Sequence, residues 1–160
     1  MVSHESPQLP DDFGRNLPLS LQDLCLSESH FLELPTWIAR LTGLQGLFLS
    51  NNDDLRELPP WLGDLAELRS LCLSFMHSLP PVLPEFLGRL SRLTRLAIFG
   101  TLHREIPSSV AELPHLTIDA DAMVWDGNRW WRSSEAGSFP CVASMYNVIR
   151  AKEDAEKTLE

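Results

Sequence analysis

A repeating pattern of leucines constrains this chain more than any other feature of its sequence. Five copies of the pattern begin 23, 24, 25 and 23 residues apart. The leucines that open them are Leu21, Leu44, Leu68, Leu93 and Leu116. Internal periods of this length are typical of repeat proteins, in which each unit buries its apolar residues only against its neighbours. The chain is therefore expected to fold as a stack of similar units that form one cooperative structure.

Each of the first four copies has two halves with different spacing. In the first half, apolar residues stand three and five positions after the opening leucine, an alternation typical of a half-buried strand. In the second half, a proline stands nine residues before the next copy, and apolar residues follow it at three and six positions, as in a short helical turn. These prolines are Pro35, Pro59, Pro84 and Pro107. Proline opens a helical turn without losing a hydrogen bond, so each copy predicts a strand followed by a turn.

The second half, Leu-Pro-x-x-Leu-x-x-Leu, resembles the leucine-rich repeat family over roughly residues 9–118. Within that family it is similar to the intracellular subclass of scribble-like and Ras-suppressor-like scaffolds, plant intracellular disease-resistance proteins and bacterial effectors. The resemblance implies an α/β solenoid, right-handed and curved, with a parallel concave sheet and short helical or 3-10 turns on the convex side. The strand-end asparagine of the family occurs only as Asn52, so its ladder of asparagine side chains is expected to be broken. The equivalent positions hold Ser29, Met76 and Thr101.

The sequence predicts three segments. Residues 1–20 form a tail and a degenerate capping half repeat, residues 21–118 hold four repeats and a partial fifth, and residues 119–160 form a cap. In the cap, Met123–Trp125 and residues 129–131 flank Asp126-Gly127-Asn128, which predicts a hairpin. Helical spacing from residue 140 predicts an amphipathic helix. The tryptophans of this hairpin either cover the last repeat or bind a ligand. They are Trp125, Trp130 and Trp131.

The register of the fifth strand has two equally good solutions. One alignment opens the strand at Leu116 and puts Asp119 and Asp121 at positions that leucine and isoleucine hold in the fourth repeat. The other shifts the strand by three residues, so that Leu116 and Ile118 take those positions instead. Both alternatives remain open from the sequence.

Charge and hydropathy narrow the class of partner. The net charge is −9, with 22 acidic against 13 basic residues spread along the chain. This balance favours solubility and argues against nucleic acid, which requires a basic stripe. No apolar run approaches 18 residues, and the first ten residues lack the apolar region of a signal peptide. We therefore expect a monomer that binds a protein, with no membrane partner.

The cysteines indicate a reducing compartment. Cys25 and Cys72 hold the same strand position two repeats apart, so they are expected to lie about 10 Å apart, beyond disulfide reach. Both should face water on the concave side and react with a maleimide. Thiols kept apart in this way suit a cytoplasmic protein. Delivery into a host cell as an effector is the alternative location.

No spacing in the sequence marks a catalytic or metal site. A glycine-rich phosphate loop and a nucleophile elbow are both missing. His30 and His77 stand two repeats apart, too far to share one ion. The expected protein is not an enzyme and has no cofactor and no metal.

The strand halves present every second residue to the concave face. Three phenylalanines are expected to face water there and to anchor a partner protein, while Asp23 and Arg95 fix its orientation by charge. The predicted partner-binding residues are Phe48, Phe75, Phe99, Asp23, Arg95, Cys72, Ser50 and Ser74. The expected function is thus non-catalytic protein recognition. The alternative is the substrate-recognition part of a bacterial effector or of a larger multidomain protein whose catalytic domain is absent here.

A second aromatic column lies on the outer side of the repeats. It consists of Trp37, Trp61 and Phe86, each two residues after a repeat proline. These side chains either pack sideways on one another or form a second contact surface.

Overall fold

The computed structural model describes residues 13–101 and 106–120 with their side chains, and residues 123–125 and 130–132 as backbone. In this part of the chain, seven strands form one sheet in which sequence order is also spatial order. The strands are β1 (Asp23–Cys25), β2 (Gly46–Phe48), β3 (Ser70–Cys72), β4 (Arg95–Ala97), β5 (Thr117–Ala120), β6 (Met123–Trp125) and β7 (Trp130–Arg132). The first five are parallel, each joined to the next by a crossover.

Short helical turns form these crossovers, as the repeat prolines predict. The four crossovers hold η2 (Thr36–Arg40), η3 (Pro60–Asp64), η4 (Glu85–Arg89) and α1 (Ser108–Ala111), and a further turn, η1 (Phe13–Asn16), precedes β1. The elements marked η are 3-10 turns, and α1 is a single α-helical turn. The residue before each of the four crossover elements is a repeat proline with an extended ψ of 129 to 146°. Proline thus fixes where each crossover turns from extended to helical backbone.

The second leucine of each strand half lies in the core. Leu24, Leu47, Leu71, Leu96 and Ile118 pair across the five parallel strands in succession. The three in β2, β3 and β4 are 0% exposed. The repeat phase is therefore confirmed, and so is the predicted α/β solenoid with a parallel sheet and short 3-10 turns.

The fifth strand adopts neither predicted register. Leu116 keeps the phase of the earlier copies, since its N–H bonds to the carbonyl of Leu113 as Leu93 bonds to Leu90. One residue is missing after it, however, so Ile118 rather than Asp119 pairs with Leu96 in β4. Asp119 consequently points to the concave side beside Ala97 instead of into the core.

A single asparagine bridges repeats in the described part of the chain, as the sequence predicts. Asn52 is 0% exposed. Its amide nitrogen donates to the carbonyls of Leu26 and Leu49, both at 2.8 Å, and its oxygen accepts the N–H of Ser29 at 3.0 Å. At the equivalent position Thr101 makes only a local bond, from its hydroxyl to the Ile98 carbonyl at 2.8 Å.

The two strands of the predicted hairpin extend the sheet beyond β5. Strand β6 runs antiparallel to both β5 and β7, with Trp125 paired to Trp130. The side chains of these strands, the helix predicted from residue 140 and the tail before Phe13 lie outside the described residues. At the N-terminal end, the rings of Phe13 and Trp37 meet with centroids 5.8 Å apart, so η1 packs on the first full repeat.

The outer aromatic column is part of the core packing. Trp37 is buried, and Trp61 and Phe86 are half-buried against the leucine core. The carbonyl oxygen of Phe86 would lie 2.4 Å from a side chain added at Gly63, so adjacent turns pack closely here. These side chains thus pack on the leucine core, and the packing of the three rings on one another stays a prediction, as does a second contact surface.

Candidate functional site

The concave face is a grid of side chains set by the strand register. Its first column holds Asp23, Gly46, Ser70, Arg95 and Thr117 on successive strands. Its second column holds Cys25, Phe48, Cys72, Ala97 and Asp119. The side chains between these two columns point into the core. Within β1 to β5, the two columns are therefore the residues that face the concave side.

The second column is closed to water. Cys25, Phe48, Cys72 and Ala97 form a small apolar cluster of their own, and Phe99 packs against it. Phe48 is only 6% exposed, so the expectation that its ring faces water is wrong. The reason lies in its neighbours, because small residues flank the ring on both strands and Gly46 carries no side chain on the same strand. A side chain added at Gly46 would lie 3.1 Å from the Phe48 ring.

Both strand cysteines lie in this buried column as thiols. Cys25 is 7% and Cys72 2% exposed, so the expectation that they face water is also wrong. The sulfur of Cys72 lies 3.0 Å from the hydroxyl of Ser50 and 3.6 Å from that of Ser74. These two serines are themselves buried. This part of the predicted surface therefore lies beneath the accessible face.

Burial changes the expected reactivity of the thiols. In the native protein, Cys25 and Cys72 should react with a maleimide far more slowly than in denaturant, because reagent access requires the cluster to open. The rate for each cysteine can be read by peptide mass spectrometry with and without urea, and a Cys25→Ser variant leaves Cys72 as the one thiol of the buried cluster. Equal rates in both conditions would show that the second column is open in solution.

An ion pair crosses the end of the grid. The guanidinium Nε of Arg95 donates to the carboxylate of Asp119 at 2.9 Å. The side chain of Asp119 is 4% exposed and that of Arg95 is 33% exposed. Arg95 therefore remains accessible but is already held by a buried acid. The sequence did not reveal Asp119 as its partner, because both alignments of β5 placed this residue elsewhere.

Phe75 is the exposed aromatic side chain of the concave rim. It is 47% exposed and has a left-handed backbone, with φ of 57°. The equivalent residues Glu28, Asn51 and Gly100 share this conformation, with φ of 59° for all three. A bulky residue rarely adopts it, since its Cβ crowds the backbone. The ring lies over Gly100, where an added side chain would come within 2.3 Å of it.

The remaining accessible residues flank Phe75 and the first column. Phe99 is half-buried, and its carbonyl accepts the N–H of Phe75 at 2.6 Å. Asp23 is exposed at the start of the first column, and its carboxylate lies over Gly46, 2.2 Å from the point where a Cβ would stand. The structure thus brings together Phe75 and Phe99. It places Asp23 and Arg95 in the same column, three strands apart.

Two histidine–aspartate pairs line the edge after the strands. His77 contacts the Asp53 carboxylate at 2.8 Å, and His30 contacts that of Asp54 at 3.3 Å. The backbone N–H and the ring of His77 together hold the pKa of Asp53 below its usual value, so this carboxylate stays ionised. No group of three or more ligands suited to a metal ion occurs among residues 13–101 and 106–120.

The chain is similar in structure to a leucine-rich repeat protein of Leptospira interrogans. The TM-score is 0.51 and the identity 24%, and the match covers 69% of this chain and 33% of that one. This chain therefore spans about a third of the length of that protein. The likeness shows a leucine-rich repeat fold. No protein-family model and no curated protein matches the sequence. Among the described residues, no helix is long and apolar enough to cross a membrane.

Proposed function

We propose that this solenoid is a non-catalytic protein-interaction module that binds a partner protein on its concave face, around Phe75. The observation that carries the proposal is the conformation of Phe75. A phenylalanine there adds backbone strain and leaves much of its ring in water, so neither folding nor solubility accounts for it. Exposed aromatic anchors of this kind carry much of the binding energy at protein interfaces.

The proposed contact surface has accessible side chains that touch the partner and a layer of buried side chains beneath them. Phe99 extends the aromatic patch beside Phe75, and Asp23 and Arg95 provide opposite charges that orient the partner. The other predicted residues form the buried layer, where they hold the sheet rigid beneath the contact. They are Phe48, Cys72, Ser50 and Ser74. A rigid base lowers the entropic cost of binding, because fewer side chains must be ordered.

The partner is a protein, the module is monomeric and its compartment is the cytoplasm. A net charge of −9 disfavours nucleic acid, and two thiols in the described part of the chain persist without a disulfide.

A second candidate function is the substrate-recognition part of a bacterial effector or of a larger multidomain protein. The observation that supports it is that the match covers only 33% of the Leptospira protein, so a protein with this fold can be much longer than this chain.

Replacing Phe75 with asparagine tests the concave site. Asparagine stands at the equivalent position of the second repeat and tolerates the left-handed backbone, so the variant should be at least as stable as the wild type. Loss of the aromatic anchor should weaken partner binding by roughly tenfold or more. Quantitative mass spectrometry of proteins captured by both forms, followed by titration of the depleted partner, measures this effect.

The matched control is Leu32→Asn, which removes another exposed apolar side chain, 52% exposed, away from the strands. It should capture the same partners as the wild type. If Phe75→Asn retains every partner at full affinity, the concave rim is not the binding site. If both variants lose the same proteins equally, capture reflects general hydrophobicity.

A further inference from the structure

A groove opens between the second and third repeats, away from the strands. Its volume is about 440 Å³, and its lining is mainly apolar. The lining residues are Glu57, Leu58, Pro60, Leu79, Pro80, Val82, Pro84 and Phe86. Leu58 and Leu79 are buried at its base, and Val82 is 45% exposed at its edge. None of these residues belongs to a strand, so the groove is separate from the concave surface.

The groove is built by features that only the third repeat has. Two residues before the repeat proline, the other three complete repeats carry glutamate, and the third carries Val82. Those glutamates are Glu33, Glu57 and Glu105. The third repeat also has the longest stretch before its proline, 16 residues after its opening leucine against 14 or 15 in the others. The added length includes Pro80, which forms one wall.

The groove favours a particular kind of occupant. Glu57 lines it, and Glu85 stands between the lining residues Pro84 and Phe86. Both glutamates are exposed, and neither is ion-paired with a base among the described residues. The proline walls lack backbone N–H groups, so an occupant is held by its side chains rather than by strand pairing. An apolar base under unpaired carboxylates suits an apolar side chain flanked by cations.

We infer that this groove is a second docking site, for a protein segment in which a bulky apolar residue is flanked by lysine or arginine. The apolar side chain occupies the space between Leu58, Leu79 and Val82. The flanking cations pair with Glu57, which lines the groove, and with Glu85, which stands between the lining residues Pro84 and Phe86. The site is independent of the concave surface and does not rest on its proposed role.

Methyl and amide NMR spectra of the full chain provide the test. The probe is a synthetic peptide with two leucines flanked by lysines, and its matched control carries glutamates in place of the lysines. The lysine peptide should shift the signals of Leu79 and Val82 saturably. Val82→Gln, which restores a polar side chain of glutamate size without adding charge, should weaken binding by about tenfold or more. The double variant Glu57→Gln with Glu85→Gln should also weaken binding of the lysine peptide. Added salt should reduce the difference in affinity between the lysine and glutamate peptides.

Two further variants locate the effect. Leu32→Gln removes an exposed apolar residue outside the groove, and Phe75→Asn alters only the concave rim, so both should bind the lysine peptide as the wild type does. Equal shifts with the two peptides, shifts confined to the concave residues, or no shift up to millimolar peptide would each overturn the inference. Should Val82→Gln fail to fold, the double glutamate variant decides the result alone.

Discussion

Replacing Leu71 with alanine should lower the free energy of unfolding by about 2–5 kcal/mol. Leu71 is 0% exposed and pairs with Leu47 on one side and Leu96 on the other. The truncation therefore opens a cavity in the middle of the leucine stack, and neighbouring repeats cannot close it without moving their own strands. Because no repeat buries its apolar face alone, the loss should reduce the stability of the whole solenoid.

Urea unfolding followed by circular dichroism measures this loss. The matched control is Leu32→Ala, which truncates a leucine that is 52% exposed and should change stability by no more than about 0.5 kcal/mol. A loss for Leu71→Ala as small as that of the control would mean that Leu71 is not in the core. Two separate transitions in the variant would mean that the repeats do not unfold together.

Replacing Asn52 with alanine should cost about 2–4 kcal/mol, although the side chain is small. The change removes three hydrogen bonds, to the carbonyls of Leu26 and Leu49 and from the N–H of Ser29. These backbone groups lie where the first and second repeats meet. Loss of the three hydrogen bonds therefore leaves buried polar atoms without partners inside the stack. The cost comes from these orphaned groups rather than from lost apolar contact.

The adjacent residue supplies a control for this prediction. Asn51 is exposed and has a φ of 59°, so Asn51→Gly removes an amide without loss of buried bonds and without backbone strain. Its free energy of unfolding should stay near that of the wild type. If Asn52→Ala is no less stable than Asn51→Gly in the same urea series, water replaces the lost bonds and Asn52 does not join the two repeats.

The candidate site was only partly predictable. Phe99 follows from strand alternation, which also places Phe48 on the same face, whereas Phe75 stands just beyond the last alternating position of its repeat. Alternation gives the face of a side chain but not its exposure, and Phe48 is buried because Cys25 and Cys72 lie beside it. Those neighbours stand 23 and 24 residues away in sequence, and only the pairing of strands brings them into contact.

By itself, the sequence determined the repeat phase, the strand-and-turn unit and the isolated role of Asn52. These features depend on local spacing, which strands β1 to β4 keep, since one residue of slip would exchange core and surface. The tertiary structure alone decided the register of β5, the pairing of Arg95 with Asp119, and the groove that Val82 lines. Each of these depends on the size and charge of side chains from different repeats, which meet only after the solenoid has formed.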